Sequence, residues 1–374
     1  MTVSAREFRS IINSFVDELS RDESVASVGL FGSWVSYEAS GSNSIDVLVV
    51  DWSGRDYECR ELREYRGLVM DVDRVPLSWV GEMVSPEVDH KVHGAMIMHD
   101  PGGMLRRAQG FLEVNYRSPG RLEMRAEGCL SAAEMYLSRI SSALSRGDHE
   151  TACVFAEMGA ASAALVLVDL AGLVPGVGSS VWDLRRACER FGVLDVYRDF
   201  LEIGRYGGVG VEEASGVRGG AGGGGGGLEE VWGRVFQFLG ENSGVLSGLH
   251  ERLRVEVGYS ADPLMLGVAL GRSGEMLEGC DVVGAVSYLR GRLLPLLEGL
   301  GWVASAKVGD RFDYTRLFRM LGGLGGGLGV YEGALDVFGL RGLDEGAVGG
   351  LVELTRGLVS RVRGERLGLI AGLG

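Results

Sequence analysis

Residues 44–51, SIDVLVVD, set an aspartate third in an otherwise apolar run. A run of this length and composition reads as a strand, and the carboxylate it carries has to be accommodated by whatever packs beside it. Upstream, Val25–Phe31 (VASVGLF) reads as a second strand that ends in Gly32-Ser33. Downstream, 67–75 (GLVMDVDRV) reads as a third and carries Asp71 and Asp73. A fourth, 94–99 (GAMIMH), is closed by the turn chemistry of Asp100-Pro101-Gly102-Gly103. Before them all, Phe8, Ile11, Ile12, Phe15 and Leu19 fall on one face of a helix. Residues 1–103 are therefore predicted to form a small α/β domain.

The pattern then changes to helical. Residues 104–203 are predicted as a helical domain, broken at Arg146-Gly147-Asp148, where Asp148 is placed to cap the next helix. Residues 204–227 (GRYGGVGVEEASGVRGGAGGGGGG) have the composition of a linker. Residues 228–374 are predicted as a second helical module. The segments LSRGDHETACVFAE and LEGCDVVGAVSYLR align, pairing Asp148 with Asp281, Ala152 with Ala285 and Phe155 with Tyr288, and further on Asp183 pairs with Asp313. Two readings stand: a duplicated helical module, or two amphipathic helix pairs that merely look alike. The expected class is α+β, a small mixed sheet with helices followed by a large all-α region.

Composition narrows the function. With 46% hydrophobic and 24% charged residues the chain has the makings of a packed core. Its five cysteines form no CxxC pair, which argues against a disulfide framework and a zinc site and suits a cytoplasmic protein. The first residues, MTVSAREFRS, do not read as a signal peptide. The most apolar stretch, 160–174, is interrupted by Asp169 and is expected to be a buried helix rather than a membrane span. A net charge of −14 argues against a duplex-binding protein, since phosphate neutralisation needs clustered cations. Lysine occurs only at Lys91 and Lys307.

Chemistry is expected around the acids. Alternate strand residues share a face, so Ser44 and Asp46 point one way, as do Asp71 and Asp73. Adjacent strands can bring Asp46 near one of the latter two. Converging carboxylates make a hard-oxygen site for Mg²⁺, and two such ions can clamp both oxygens of a phosphoryl displacement. Gly32 lets backbone approach a phosphate, and the hydroxyl and amide of Ser33 can donate to it.

These residues resemble the nucleotidyltransferase superfamily of the kanamycin-nucleotidyltransferase and minimal-nucleotidyltransferase type. In that family Gly-Ser is followed, about ten residues on, by Asp-x-Asp on a strand and then by a third acid on a later strand. Here Gly-Ser is Gly32-Ser33, the second acid is Asp46, and the first acid is replaced by Ser44. Asp71 or Asp73 stands for the third, with Asp71 favoured. HDPGGMLRRAQ is similar to the His-Asp-Pro segment that opens the family's helical region, and the likeness covers about residues 5–200. The resemblance implies transfer of a nucleoside monophosphate from ATP or another NTP to a hydroxyl acceptor, with Mg²⁺ as cofactor. It also implies a helical-domain general base, for which Glu157 is the candidate and a solvated helix face the plainer alternative. A homodimer or a protein partner is expected to use the helical region.

Other signals fall away. His90, His93 and His99 have no carboxylate or cysteine at ligand spacing. The glycine run 322–329 is not followed by the Lys-Ser/Thr of a phosphate loop, and there is no Gly-x-Ser-x-Gly. No histidine follows an arginine at the Arg-x4–6-His spacing of ribonuclease partners. Two functions remain: an active nucleotidyltransferase, or a catalytically degenerate nucleotidyltransferase fold that binds or regulates.

Overall fold

The computed structural model describes residues 5–32, 44–81, 83–174, 181–207, 209–210, 217, 227–324 and 329–373. They fall into two compact units, Met1–Arg121 with Asp262–Gly271, and Leu122–Ala261 with Arg272–Gly374. The division lies at 121/122 rather than at the expected 103, and the expected helical module 228–374 is not a separate body. Ser33 and most of the 204–227 tract lie outside the described residues.

The first unit contains α1 (Ala5–Leu19), β1 (Val25–Phe31), β2 (Ser44–Asp51), β3 (Cys59–Tyr65), β4 (Leu68–Pro76), α2 (Asp89–His93), β5 (Met96–His99) and α3 (Met104–Asn115). The strands form one mixed sheet in the order β3-β4-β2-β1-β5. Only β2 and β4 run parallel; the other neighbours are antiparallel. Alternation along the strands splits the core in two. Ile45, Val47, Val49, Met70 and Val72 pack against Ile12, Phe15 and Leu19 of α1. Leu48, Val50 and Val75 pack on the other face against Val92 of α2 and Leu105, Ala108 and Leu112 of α3. Those α3 contacts are why the first unit extends beyond residue 103.

Asp100 fixes the start of α3. Its carboxylate accepts the backbone N–H of Met104 at 2.9 Å and of Arg106 at 3.0 Å, and the Ser27 hydroxyl of β1 at 2.7 Å. These bonds satisfy first-turn donors and hold the carboxyl below its ordinary range, against the opposing effect of burial. Deeper in the unit, Asp89 is fully buried and receives the Arg121 guanidinium, whose Nε lies 2.7 Å away.

The other described residues fold mainly into helices: α4 (Pro119–Ser145), α5 (His149–Leu170), α6 (Val181–Phe191), α7 (Leu194–Ile203), α8 (Leu228–Glu241), α9 (Ser243–Ser247), α10 (Glu251–Ser260), α11 (Pro263–Glu278), α12 (Val282–Lys307), α13 (Leu317–Gly323), α14 (Val330–Val337) and α15 (Glu345–Ala371). Helix α5 is long and apolar enough to cross a membrane, but most of its apolar window is buried inside the protein, as expected of a core helix.

The aligned segments adopt the same local geometry. The chain turns into α5 through Gly147 (φ 69°) and into α12 through Cys280 (φ 62°). Asp148 N–H bonds the Ala143 carbonyl at 3.0 Å, and Asp281 N–H bonds that of Met276 at 2.8 Å. Both aspartates then cap their helices, accepting from Thr151 N–H at 3.0 Å and from Gly284 N–H at 2.9 Å. The ends of α7 and α14 match as well. Arg205 (φ 57°) and Gly339 (φ 61°) take the left-handed position, Tyr206 N–H bonds Leu201 at 2.9 Å and Leu340 N–H bonds Leu335 at 2.8 Å. The same closure also ends other helices, at Gly172, Gly192 and Gly309, so these turns fit both readings of the alignment.

Candidate functional site

Parallel pairing sets Asp46 of β2 directly beside Asp71 of β4, and Leu48 beside Asp73. All three aspartates lie on the sheet face that packs, further along, on α2 and α3. Asp46 and Ser44 are half-buried, whereas Asp71 is 4% and Asp73 2% exposed. Asp46 and Asp71 thus stand side by side on neighbouring strands, which run about 4.8 Å apart.

Gly32 closes the site from β1. Phe31 pairs with Asp46 across the antiparallel ladder, so residue 32 is the first to leave the sheet beside that carboxylate. Its φ is +77°, and a Cβ there would fall on the Asp46 carboxylate oxygen. Only glycine meets both demands.

Asp73 is held differently. Arg60 Nε of β3 donates to its Oδ1 at 2.7 Å, and Lys91 Nζ of α2 lies 2.7 Å from its Oδ2. Arg60 Nη2 also lies 3.4 Å from Asp71 Oδ2, and Lys91 donates to Glu58 at 2.7 Å. Burial alone pushes the Asp73 carboxyl up, but the two cations outweigh it and hold it below its ordinary value. Burial likewise pulls the Lys91 ammonium down, and Asp73 and Glu58 more than restore it, leaving it raised.

These surroundings decide what metal the residues fit. Ser44 brings no charge, and Asp73 is engaged by two cations. Among the described residues no group of three or more His, Cys, Asp or Glu is arranged to hold a metal ion. The two-ion arrangement implied by the resemblance does not fit this donor set. The Asp46–Asp71 pair offers one Mg²⁺ two carboxylates, which is the usual protein share when water and phosphate oxygens complete the octahedron.

Glu157 lies in the second unit and is 1% exposed. Tyr206 Oη donates to it at 2.6 Å, Arg290 Nη1 at 3.2 Å and Arg205 Nη2 at 3.4 Å. Its surroundings give it a structural task, closing a buried charge network, and neither a general base nor a solvated face describes it.

The sequence pattern does not mark Arg60 or Lys91 as site residues. Arg60 sits on β3, a strand the sequence pattern does not predict, because CRELREY has a single well-buried residue, Leu62. The scarcity of lysine was the one available signal for Lys91.

No family model matches the chain, and no curated protein matches it. Among solved structures it is similar to a nucleotidyltransferase-like protein from Exiguobacterium sibiricum 255-15, with 13% identity and a TM-score of 0.33. The match covers 52% of this chain and 66% of that one, so it spans just under two thirds of that protein's length.

Proposed function

We propose that this chain is a nucleotidyltransferase-type module that binds a Mg²⁺–nucleoside triphosphate, with ATP the expected nucleotide, and that it does not support efficient transfer. The observation carrying this reading is the acid set: Asp46 and Asp71 pair across β2 and β4, Ser44 stands in place of one carboxylate, and Asp73 is engaged by Arg60 and Lys91. When bound, one Mg²⁺ would be held by Asp46 and Asp71 and would neutralise phosphate charge. At Gly32 backbone rather than a side chain lies against the Asp46 carboxylate. Lys91 adds a positive charge on the same sheet face.

The retained Asp46–Asp71–Gly32 geometry favours a second reading, transfer of a nucleoside monophosphate from Mg-ATP to a hydroxyl acceptor. Labelled NTPs with Mg²⁺ and candidate acceptors separate the two. Binding without transfer in the wild type, with transfer gained in Ser44→Asp, supports the binding module. Robust wild-type transfer that Asp46→Ala reduces at least 100-fold establishes the enzyme instead.

A further inference from the structure

We infer that Lys91, with Arg60, occupies in charge terms the place of a second divalent cation, so that the site takes one metal ion and not two. This rests on the nucleotide-binding reading above and specifies its metal chemistry.

Asp73 is 2% exposed, and a buried carboxylate needs a counter-charge to stay ionised. It has two, Arg60 Nε and Lys91 Nζ, each at 2.7 Å. Arg60 continues to Asp71 at 3.4 Å, which joins the two acids of β4 through one guanidinium. Lys91 also lies 5.9 Å from the Phe31 ring centroid, and Phe31 is the ladder partner of Asp46. The cationic pair therefore reaches the Asp46–Asp71 neighbourhood from two directions.

Residue choice agrees with this assignment. Arginine supplies nearly all the positive charge of the chain, and lysine only two of its 37 cationic residues. One of those two stands here. An ammonium is a compact point charge and resembles a metal ion more closely than a planar guanidinium does. It also stays charged, since Asp73 and Glu58 raise it. A second divalent ion would have to displace Lys91 and Arg60 from Asp73 and leave both without their buried partner.

The test is the number of Mn²⁺ ions bound per full-length chain, counted by electron paramagnetic resonance with and without a non-hydrolysable ATP analogue. The wild type is expected to bind one ion. Lys91→Met is expected to bind two, and Lys91→Met with Asp73→Asn to return to one. Should Lys91→Met fail to fold by circular dichroism, Lys91→Gln serves in its place with the same expected gain. Two ions or none in the wild type overturns the inference, as does an unchanged count in the folded variant. One ion in the wild type and two in the variant, with no analogue bound to either, leaves this inference standing and removes the nucleotide reading.

Discussion

A Cβ on residue 32 would fall on the carboxylate of Asp46. The strand end and the acid are thus fitted to each other: Phe31 opposes Asp46 in the ladder, and the next residue must take φ +77° without a side chain. Gly32→Ala is expected to cost about 1–3 kcal/mol, from the left-handed backbone and the displaced carboxylate. Urea denaturation measures that loss. Titration with Mg-ATP should show binding weakened at least tenfold, because Asp46 has to move.

Asp73 is expected to behave as a structural acid. Asp73→Asn leaves Arg60 and Lys91 without their shared buried partner and should destabilise the chain by about 3–5 kcal/mol. The pH dependence carries a sign. The folded carboxyl lies below its ordinary value of 3.8, so its stabilisation is complete above that value and is lost as pH falls below it. In acid denaturation the variant should lack that part of the transition.

Glu157 and Arg290 stand nine positions after their respective cap aspartates, Asp148 and Asp281, and they pair with each other at 3.2 Å. Glu157→Leu is expected to cost about 3–5 kcal/mol, and Glu157→Leu with Arg290→Met to recover much of it, as for other buried pairs replaced together. Mg-ATP binding by the double variant should match the wild type, as calorimetric titration checks.

The two cap aspartates differ in what else they hold. Asp281→Ala is expected to cost about 1 kcal/mol. Asp148→Ala should cost more, because its Oδ2 also accepts Arg319 N–H at 2.9 Å. Thermal unfolding of the two variants side by side reads the difference.

Glu298 of α12 sits 3.4 Å from Arg139, and burial raises its carboxyl to about 7 from an ordinary value of 4.5. The folded state holds this proton more tightly than the unfolded state does. The contribution of Glu298 to stability should therefore be full below pH 4.5 and decline as pH rises to about 7, by on the order of 2–3 kcal/mol. Glu298→Gln should remove the decline, as followed by denaturation midpoints across that range.

Much of this was legible in the sequence. The acids of β2 and β4 announced themselves because a charged residue inside an apolar run is conspicuous. Register was not legible, since period-2 patterning fixes a face but not which residues stand opposite. That is why Asp71 and Asp73 could be separated only by seeing Asp71 beside Asp46. Strand β3 escaped because an edge strand needs only one buried side chain, and the Arg60 contact was missed with it. The two caps, Asp148 and Asp281, showed because helix caps restrict residue type. The pairing of Glu157 with Arg290 did not show, because a contact between helices far apart in the chain leaves no pattern in either segment.

The most direct test of the account is calorimetric titration of the full chain with ATP, with and without Mg²⁺, beside Asp46→Asn and Asp71→Asn. The account predicts one Mg²⁺-dependent binding event in the wild type, weakened at least tenfold in each variant. An absence of binding in the wild type, or binding that neither variant alters, would contradict it.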